Sequence, residues 1–333
     1  MNKIATTAEP DKIEAGLRPT GQTGASVPPW SEEQLAAQPK VHHGWLSRLR
    51  SYFILAPLIW VYTIILGTIS LLCSLFDRNG RIQHNLARFW SWLIMRTILS
   101  PVKVTGTNNL VATATHAGTD APVGPAERTG VLDIPGAGLT GWRSSAAVFP
   151  GTVAAGSPLK ASKPRVYAVT HASALDIPIL YVYLPFQFRI IFKSELLSYP
   201  FVGWHLKRSG QVCINQQNPA ASIGSVKSAL RSLRSGMPLV IFPEGGRTRD
   251  GELQPFLPGA FFLAIKAQAD IVPVALVGTF DLLPMNTYHI KCQPLEMRVG
   301  EAISTAGLTS QDTDKVSAQV KAAVESLYSA PRA

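Results

Sequence analysis

The hydrophobic pattern of this chain begins with an unbroken apolar run. Ser51 to Phe76 holds 26 residues without a charged side chain, and as a helix it would span about 39 Å, more than a hydrocarbon core of about 30 Å. The run predicts a membrane-anchoring helix. A buried core helix is the alternative, and a kink at Pro57 leaves spanning and re-entrant arrangements both open. Aromatic residues suited to a membrane interface lie around its first half: Trp45, Tyr52, Trp60 and Tyr62.

A second apolar pattern, from His84 to Leu99, has helical spacing. It predicts an amphipathic helix with Arg88 and Arg96 on its polar side, lying in the membrane interface or packed on a soluble domain. Pro101 ends this helix, and Val102 to Thr105 begins a strand. The predicted apolar stripe consists of Leu86, Phe89, Trp90, Leu93, Ile94 and Ile98.

From Arg165 onward, short apolar runs alternate with helical patterns. This alternation predicts an α/β fold with a mixed, largely parallel sheet and flanking helices, whose strand-end loops carry the chemistry. The predicted strands are Val166–Val169, Arg189–Phe192, Gln211–Ile214, Leu239–Phe242, Ile271–Val277 and Leu295–Val299. The predicted helices are 176–184, 219–235, 258–268 and 312–328.

Composition divides the chain into five regions. Residues 1–44 lack periodicity and are predicted to be a disordered tail, and residues 45–100 form the membrane-associated helices. Residues 101–110 begin the α/β domain, and residues 165–333 form most of it. Between them, the Ala/Gly/Pro/Thr-rich stretch 111–164 is predicted to be a flexible insertion.

The net charge of +10 is concentrated beside the apolar run. From Val41 to Gly106 there are seven Lys or Arg residues and one acid, a net of +6. This band favours anionic lipid headgroups as partners and argues against nucleic acid. Three scattered cysteines exclude a disulfide framework or a zinc site. We therefore expect a membrane protein whose α/β domain faces the cytoplasm.

The first candidate chemical motif is His171-Ala-Ser-Ala-Leu-Asp176. It follows a predicted strand and precedes a predicted helix, so the chain must turn between the imidazole and the carboxylate. Asp176 could then accept a hydrogen bond from one ring nitrogen of His171 and leave the other free to take a proton. The alternative is an ordinary surface histidine beside a helix cap.

The second candidate motif is Phe242-Pro-Glu-Gly-Gly-Arg-Thr248, directly after an apolar strand. Gly245 and Gly246 would let backbone amides approach an anion, and Arg247 could grip a phosphate with two hydrogen bonds. Glu244 is expected to orient Arg247 or the loop. The alternative is a plain turn with one solvated arginine.

Together with two further segments, these motifs resemble the glycerolipid acyltransferases, most closely the 1-acylglycerol-3-phosphate acyltransferases. The four blocks occur in the family's order between residues 165 and 300. The third block has Gly246 where the family has Thr, and Thr248 where it has Ser. The blocks are His171 to Asp176, Phe192-Lys-Ser-Glu-Leu196 with Pro200-Phe-Val-Gly203 and Gly210, 242–248, and Ile271-Val-Pro-Val274.

The resemblance implies an O-acyltransferase of phospholipid synthesis with a glycerol-phosphate acyltransferase-like fold. Its donor would be acyl-CoA or acyl-carrier protein, its acceptor lysophosphatidic acid, and its product phosphatidic acid, with no metal and no cofactor. His171 and Asp176 would be catalytic. The acceptor phosphate would be held by Lys193, Glu244, Gly245, Gly246 and Arg247.

Two departures from the family pattern keep other functions open. Asn215-Gln216 stands where the family has Asp-Arg, so one expected phosphate-binding cation is missing, and the stretch 111–164 interrupts a link that is normally short. Glycerol 3-phosphate or a lyso-aminolipid could be the acceptor instead. A non-catalytic protein that binds acidic lipids is a further alternative. A hydrolase is less favoured, because Ser173 lacks a Gly-x-Ser-x-Gly elbow.

Overall fold

A computed structural model describes residues 45–77, 80–110, 164–215 and 222–332. The predictions for the tail 1–44 and for residues 111–163 of the insertion lie outside the described residues. The helices are α1 (Trp45–Arg50), α2 (Ala56–Cys73), α3 (Arg81–Ile98), α4 (Asp176–Tyr183), α5 (Val202–Arg208), α6 (Ile223–Arg234), α7 (Phe262–Ala267), α8 (Thr279–Leu282) and α9 (Thr313–Ser329). The strands are β1 (Val102–Thr105), β2 (Arg165–Val169), β3 (Arg189–Lys193), β4 (Val212–Ile214), β5 (Leu239–Ile241), β6 (Asp270–Val277) and β7 (Leu295–Val299).

The strands form one seven-stranded sheet in the order β1-β7-β6-β2-β5-β3-β4. Every neighbouring pair is parallel except β6 and β7, which confirms the predicted mixed, largely parallel sheet. The carboxyl ends of β2 to β6 therefore meet at one edge, where ligands bind in open α/β sheets. The strands predicted from the sequence are present with ends shifted by at most one residue.

One face of the sheet is closed by an apolar layer. Helices α6, α7 and α9 pack there and bury aliphatic side chains, with Val226, Leu233 and Val320 no more than 3% exposed. Their polar residues face outward, as amphipathic helices on a water-soluble domain require.

The opposite face is covered by α3 and α4, and there the pattern differs. Helix α3 buries Gln83, His84, Arg88 and Ser91 together with Ile94 and Ile98. The prediction that Arg88 lies on the polar side of this helix is wrong, because its side chain is 8% exposed. The rotation of α3 follows from its packing against α4 and α2, which a periodicity count cannot see.

The run Trp45–Cys73 is the helix, among the described residues, that is long and apolar enough to cross a membrane. A wider turn at Ser51–Leu55 joins α1 to α2. The Ser51 hydroxyl donates to the Ile290 carbonyl at 3.0 Å near the start of this run. Near its end, Ser70 Oγ lies 2.7 Å from His205 Nδ1. The helix is thus attached to the α/β domain close to both of its ends.

Candidate active site

The structure brings His171 and Asp176 into direct contact at the carboxyl edge of the sheet. His171 follows β2, and Asp176 is the first residue of α4. The imidazole Nδ1 lies 2.9 Å from Asp176 Oδ2, and since a carboxylate only accepts, Nδ1 donates this hydrogen bond. The Nε2 atom is therefore left as the proton acceptor, on a side chain that is 17% exposed.

Asp176 is held in place by the backbone that separates it from His171. Its Oδ2 atom also accepts the amides of Ala172 at 2.8 Å and Ser173 at 2.9 Å. The side chain is fully buried, and hydrogen bonds to charged groups are worth about 1.5–3 kcal/mol each. These bonds fix the turn, so the carboxylate orients the imidazole instead of exchanging with solvent.

Glu244 joins the second candidate motif to the first. Its Oε1 accepts the backbone amide of His171 at 2.7 Å, and its Oε2 accepts the amide of Gln254 at 2.9 Å. Burial raises the pKa of this carboxyl to about 7. The contacts are those of a residue that positions the His171 backbone. Gln254 could not be identified from sequence, because it contributes an amide that every non-proline residue has.

The loop after β5 turns sharply and closes on the same histidine. Gly245 has φ +70°, a left-handed conformation that favours glycine. The amide of Thr248 donates to the His171 carbonyl at 2.9 Å, and the Thr248 hydroxyl donates to Asp250 Oδ1 at 2.6 Å. Both backbone groups of His171 are therefore held by the loop from Phe242 to Gln254.

Phe242 supports the His171 ring directly. Its ring stacks on the His171 imidazole with 4.1 Å between centroids and 22° between planes. Phe242 itself packs against the apolar cluster under α3 and α4. The sequence predicts no role for Phe242 beyond its place in the motif, and an aromatic residue directly before Pro243 is the signal for this stacking.

The predicted phosphate-binding cations converge on the glycine turn. The Lys193 ammonium lies 3.6 Å from the position that a β-carbon on Gly246 would occupy, at the end of β3. Arg247 follows in the same loop and is half-buried. It forms no ion pair with any residue that the structure describes. The Gly245 amide does not face an anion as the sequence predicted, because it donates to the Phe242 carbonyl at 3.0 Å and closes the turn. Two cations beside this turn form a site suited to a phosphate.

Asn215 follows β4 at the same edge of the sheet. Its backbone amide donates to the Ser222 hydroxyl at 2.8 Å. Gln216, where the family has an arginine, lies outside the described residues. Sequence alone therefore shows that this cation is missing.

Ser173 is not placed as a nucleophile. It is fully buried, and its hydroxyl donates to the Leu283 carbonyl at 2.9 Å. This contact anchors the turn between His171 and α4, and it argues against the hydrolase alternative. Within the described part of the chain, no three His, Cys, Asp or Glu side chains gather in a set that could hold a metal ion.

Comparison with known proteins gives matches over the segment that carries the four motifs. A family model described as Acyltransferase matches residues 152–277. A 1-acyl-sn-glycerol-3-phosphate acyltransferase of Limnanthes douglasii is 32% identical over 160 residues, which cover 48% of this chain and 56% of that protein. The human 1-acyl-sn-glycerol-3-phosphate acyltransferase beta is 35% identical over 156 residues, which cover 46% of this chain and 56% of that protein. The chain thus spans little more than half the length of these curated relatives.

The fold has a solved counterpart. The crystal structure of the 1-acyl-sn-glycerophosphate (LPA) acyltransferase PlsC from Thermotoga maritima superposes with a TM-score of 0.56 and 20% identity. The superposition covers 86% of this chain and 97% of the other, and at this identity it shows a shared fold. The resemblance to the glycerolipid acyltransferases is therefore confirmed, because the segment that holds all four motifs matches the acyltransferase family and lies on the fold of PlsC.

Proposed function

We propose that this chain is an O-acyltransferase that moves a fatty acyl group from an acyl thioester to the free hydroxyl of lysophosphatidic acid, giving phosphatidic acid. The observation that carries the proposal is a histidine–aspartate pair beside a cationic glycine turn: His171 and Asp176 at 2.9 Å, with Lys193 next to Gly246. The names of the relatives point to the same acceptor.

The reaction proceeds by direct attack of the acceptor on the donor. The acceptor oxygen bonds to the thioester carbonyl carbon while His171 Nε2 takes the hydroxyl proton. As the carbon–sulfur bond breaks, the proton passes from the imidazolium to the leaving thiolate. Asp176 stabilises the imidazolium that exists between these two transfers. A positioned general base contributes about 10²–10⁴-fold to the rate.

The acceptor phosphate lies between Lys193 and Arg247, against the amide of Gly246, while Gly245 shapes the turn through its bond to the Phe242 carbonyl. Holding the phosphate fixes the position of the attacking hydroxyl, and positioning supplies much of the rate gain when the donor is already activated. Glu244 acts through the backbone: it keeps the loop and His171 together. We assign no metal or cofactor, and the thioester carrier is either coenzyme A or acyl-carrier protein.

The acceptor stays in a membrane while it reacts, with the α/β domain on the cytoplasmic side. Ser51 and Ser70 are 19 residues apart, about 28 Å along a helix, and both are bonded to the same domain. If this helix crossed the bilayer, Ile290 and His205 would lie on opposite sides of it. The contacts therefore favour a helix that lies along the membrane face of the domain and presents its exposed apolar side chains to lipid.

A panel of acceptors tests the proposal. Purified full-length protein is supplied with acyl-CoA or acyl-carrier protein and, in parallel, with lysophosphatidic acid, glycerol 3-phosphate or a lyso-aminolipid. We expect the highest kcat/KM for lysophosphatidic acid. Preference for the lyso-aminolipid would identify Gln216 as a specificity change, and binding of acidic lipids without turnover on any acceptor would contradict the enzyme proposal.

A further inference from the structure

The segment that joins β3 to β4 exposes large apolar side chains beside the anchor helix. It begins with a 3₁₀ turn at Ser194–Ser198 and continues into α5. Leu196 is 39% exposed, Tyr199 55% and Trp204 47%. Single exposed apolar residues are ordinary on soluble proteins, but three within nine residues form a patch.

This segment is fastened to α2 by a strained residue. Phe201 has φ +61°, a conformation that is costly for a bulky side chain. In that conformation its β-carbon lies 3.0 Å from the position that a β-carbon on Gly67 would occupy. Phe201 thus points towards α2. Trp204 contacts Phe201 with 5.2 Å between ring centroids and remains exposed.

A second pair of contacts fixes the segment at the same place. His205 bonds to Ser70 of α2, and a side chain on Gly203 would collide with the Leu197 carbonyl, so α5 and the 3₁₀ turn lie close together. The exposed aromatic residues therefore border the apolar surface of α2, where Ile65 is 53% exposed. The two surfaces belong to one rigid arrangement.

The charges around the patch indicate what covers it. From Leu196 to Ile214 the only charged residues are Lys207 and Arg208, both exposed. Tyrosine and tryptophan are enriched at the headgroup level of membranes, and basic residues are attracted to anionic lipid surfaces. Before the patch, the exposed Glu195 is offset by the exposed Lys193. The charge around the patch is therefore net positive, which matches an anionic lipid surface better than a protein partner of mixed charge.

We propose that Leu196 to Trp204 is a second membrane contact of this protein, inserted at the headgroup level of an anionic bilayer beside α2. The inference rests on the membrane location in the proposed function. Lys193 lies one residue before the 3₁₀ turn. The contact therefore places the phosphate-binding cation at the depth of lipid phosphates, where the acceptor can be held without leaving the membrane.

Site-specific fluorescence tests the contact in the full-length protein. Cys73, Cys213 and Cys292 are replaced by Ser, and retained acyl transfer shows that this background folds. An environment-sensitive fluorophore is then attached at Trp204→Cys, at Leu257→Cys or at Ile65→Cys, in phosphatidylcholine–phosphatidylserine vesicles with or without spin-labelled lipid. Leu257 is a matched control, because it is 46% exposed but its neighbour Phe256 packs on the other face of the sheet.

We expect the spin-labelled lipid to quench the probes at residues 204 and 65 but not at 257, and aqueous iodide to quench only the probe at 257. If the probe at 65 responds to lipid while the probe at 204 responds to iodide, the second contact does not exist and a protein partner would have to cover the patch. If neither responds to lipid, the membrane location in the proposed function is wrong as well.

Kinetics give an independent readout. Trp204→Ser should raise KM for a long-chain acceptor presented in vesicles and leave KM unchanged for a short-chain acceptor that dissolves in water. A purely structural role for Trp204 would change both constants equally, and that result would overturn the inference.

Discussion

Both faces of the sheet bury apolar side chains, but the helices that cover them differ in the polar residues they bury. On one face, α6 buries Val226, Ala229 and Leu233 and exposes its charges. On the other, α3 buries Gln83, His84 and Arg88. Outside α3 lies α2, on which Trp60, Ile64, Ile65 and Ile69 are 40–53% exposed. The helices on the first face turn a polar surface outward, as on a protein surrounded by water. On the second face, the exposed apolar surface of α2 is suited to contact with lipid.

His171 lies on the same side of the sheet as α3 and α4. The His171 ring stacks on Phe242, which packs on the cluster beneath α3 and α4. The proposed base therefore belongs to the side of the sheet that we propose faces lipid. An acceptor whose tail stays in the bilayer can present its hydroxyl to Nε2 without crossing the sheet.

The largest effect is expected from loss of the base on the lipid-facing side. His171→Ala should lower kcat about 10²–10⁴-fold, because no other imidazole is shown at this edge within the described residues. Steady-state kinetics measure the loss, and an unchanged circular dichroism spectrum shows that the fold persists. A folded His171→Ala protein with near-normal turnover would end the proposed mechanism.

A pair of matched truncations tests the contrast between the faces. Leu233→Ala removes a fully buried side chain from the water-patterned face and should lower the free energy of unfolding by about 2–5 kcal/mol. Ile65→Ala removes an exposed side chain from α2 and should change the free energy of unfolding by less than about 0.5 kcal/mol. Denaturant unfolding in detergent measures both values. Equal losses would show that α2 is packed against protein.

Acid should destabilise the lipid-facing side selectively. Burial lowers the pKa of His84 to about 3 and that of His205 to about 4. Between pH 6.5 and 4 the unfolded chain takes up protons that the folded chain does not, so stability falls as the pH falls. For His205 we expect a loss of about 2–3 kcal/mol, at 1.36 kcal/mol per pKa unit.

His205→Gln is the control for this pH dependence. Its amide can keep the bond to Ser70 but cannot take up a proton in this range. Thermal unfolding at a series of pH values should show a flatter dependence in this variant. An unchanged dependence would mean that His205 does not titrate in the unfolding reaction.

The smallest effect on catalysis is expected from a change at the proposed phosphate-binding residue Arg247. Arg247→Ala removes a charge-assisted hydrogen bond worth about 1.5–3 kcal/mol, so kcat/KM for lysophosphatidic acid should fall about 10–150-fold. The loss should be much smaller for an acceptor without phosphate, and Gln216→Arg should raise efficiency on phosphorylated acceptors. Equal losses on both kinds of acceptor would remove Arg247 from the phosphate site.

Sequence predicted much of the sheet because short apolar runs identify buried strands. It also predicted the contact between His171 and Asp176. A strand-to-helix turn over five residues reverses the chain within a short distance and can bring the two side chains together. Burial of Arg88 could not be predicted, since the side of a helix that faces protein depends on its neighbours. The position of the antiparallel pair, β6 and β7, could not be predicted either, because tertiary packing sets the direction of strand pairing and residue spacing does not.

The central claim is that an acyl group moves directly from thioester to lysophosphatidic acid at His171. Mass spectrometry of a reaction containing full-length protein, both substrates and vesicles measures this directly. We predict that each thioester consumed yields one free thiol and one phosphatidic acid, and that His171→Ala yields neither above background. Release of free fatty acid in place of phosphatidic acid, or equal product from the His171→Ala protein, would contradict the account.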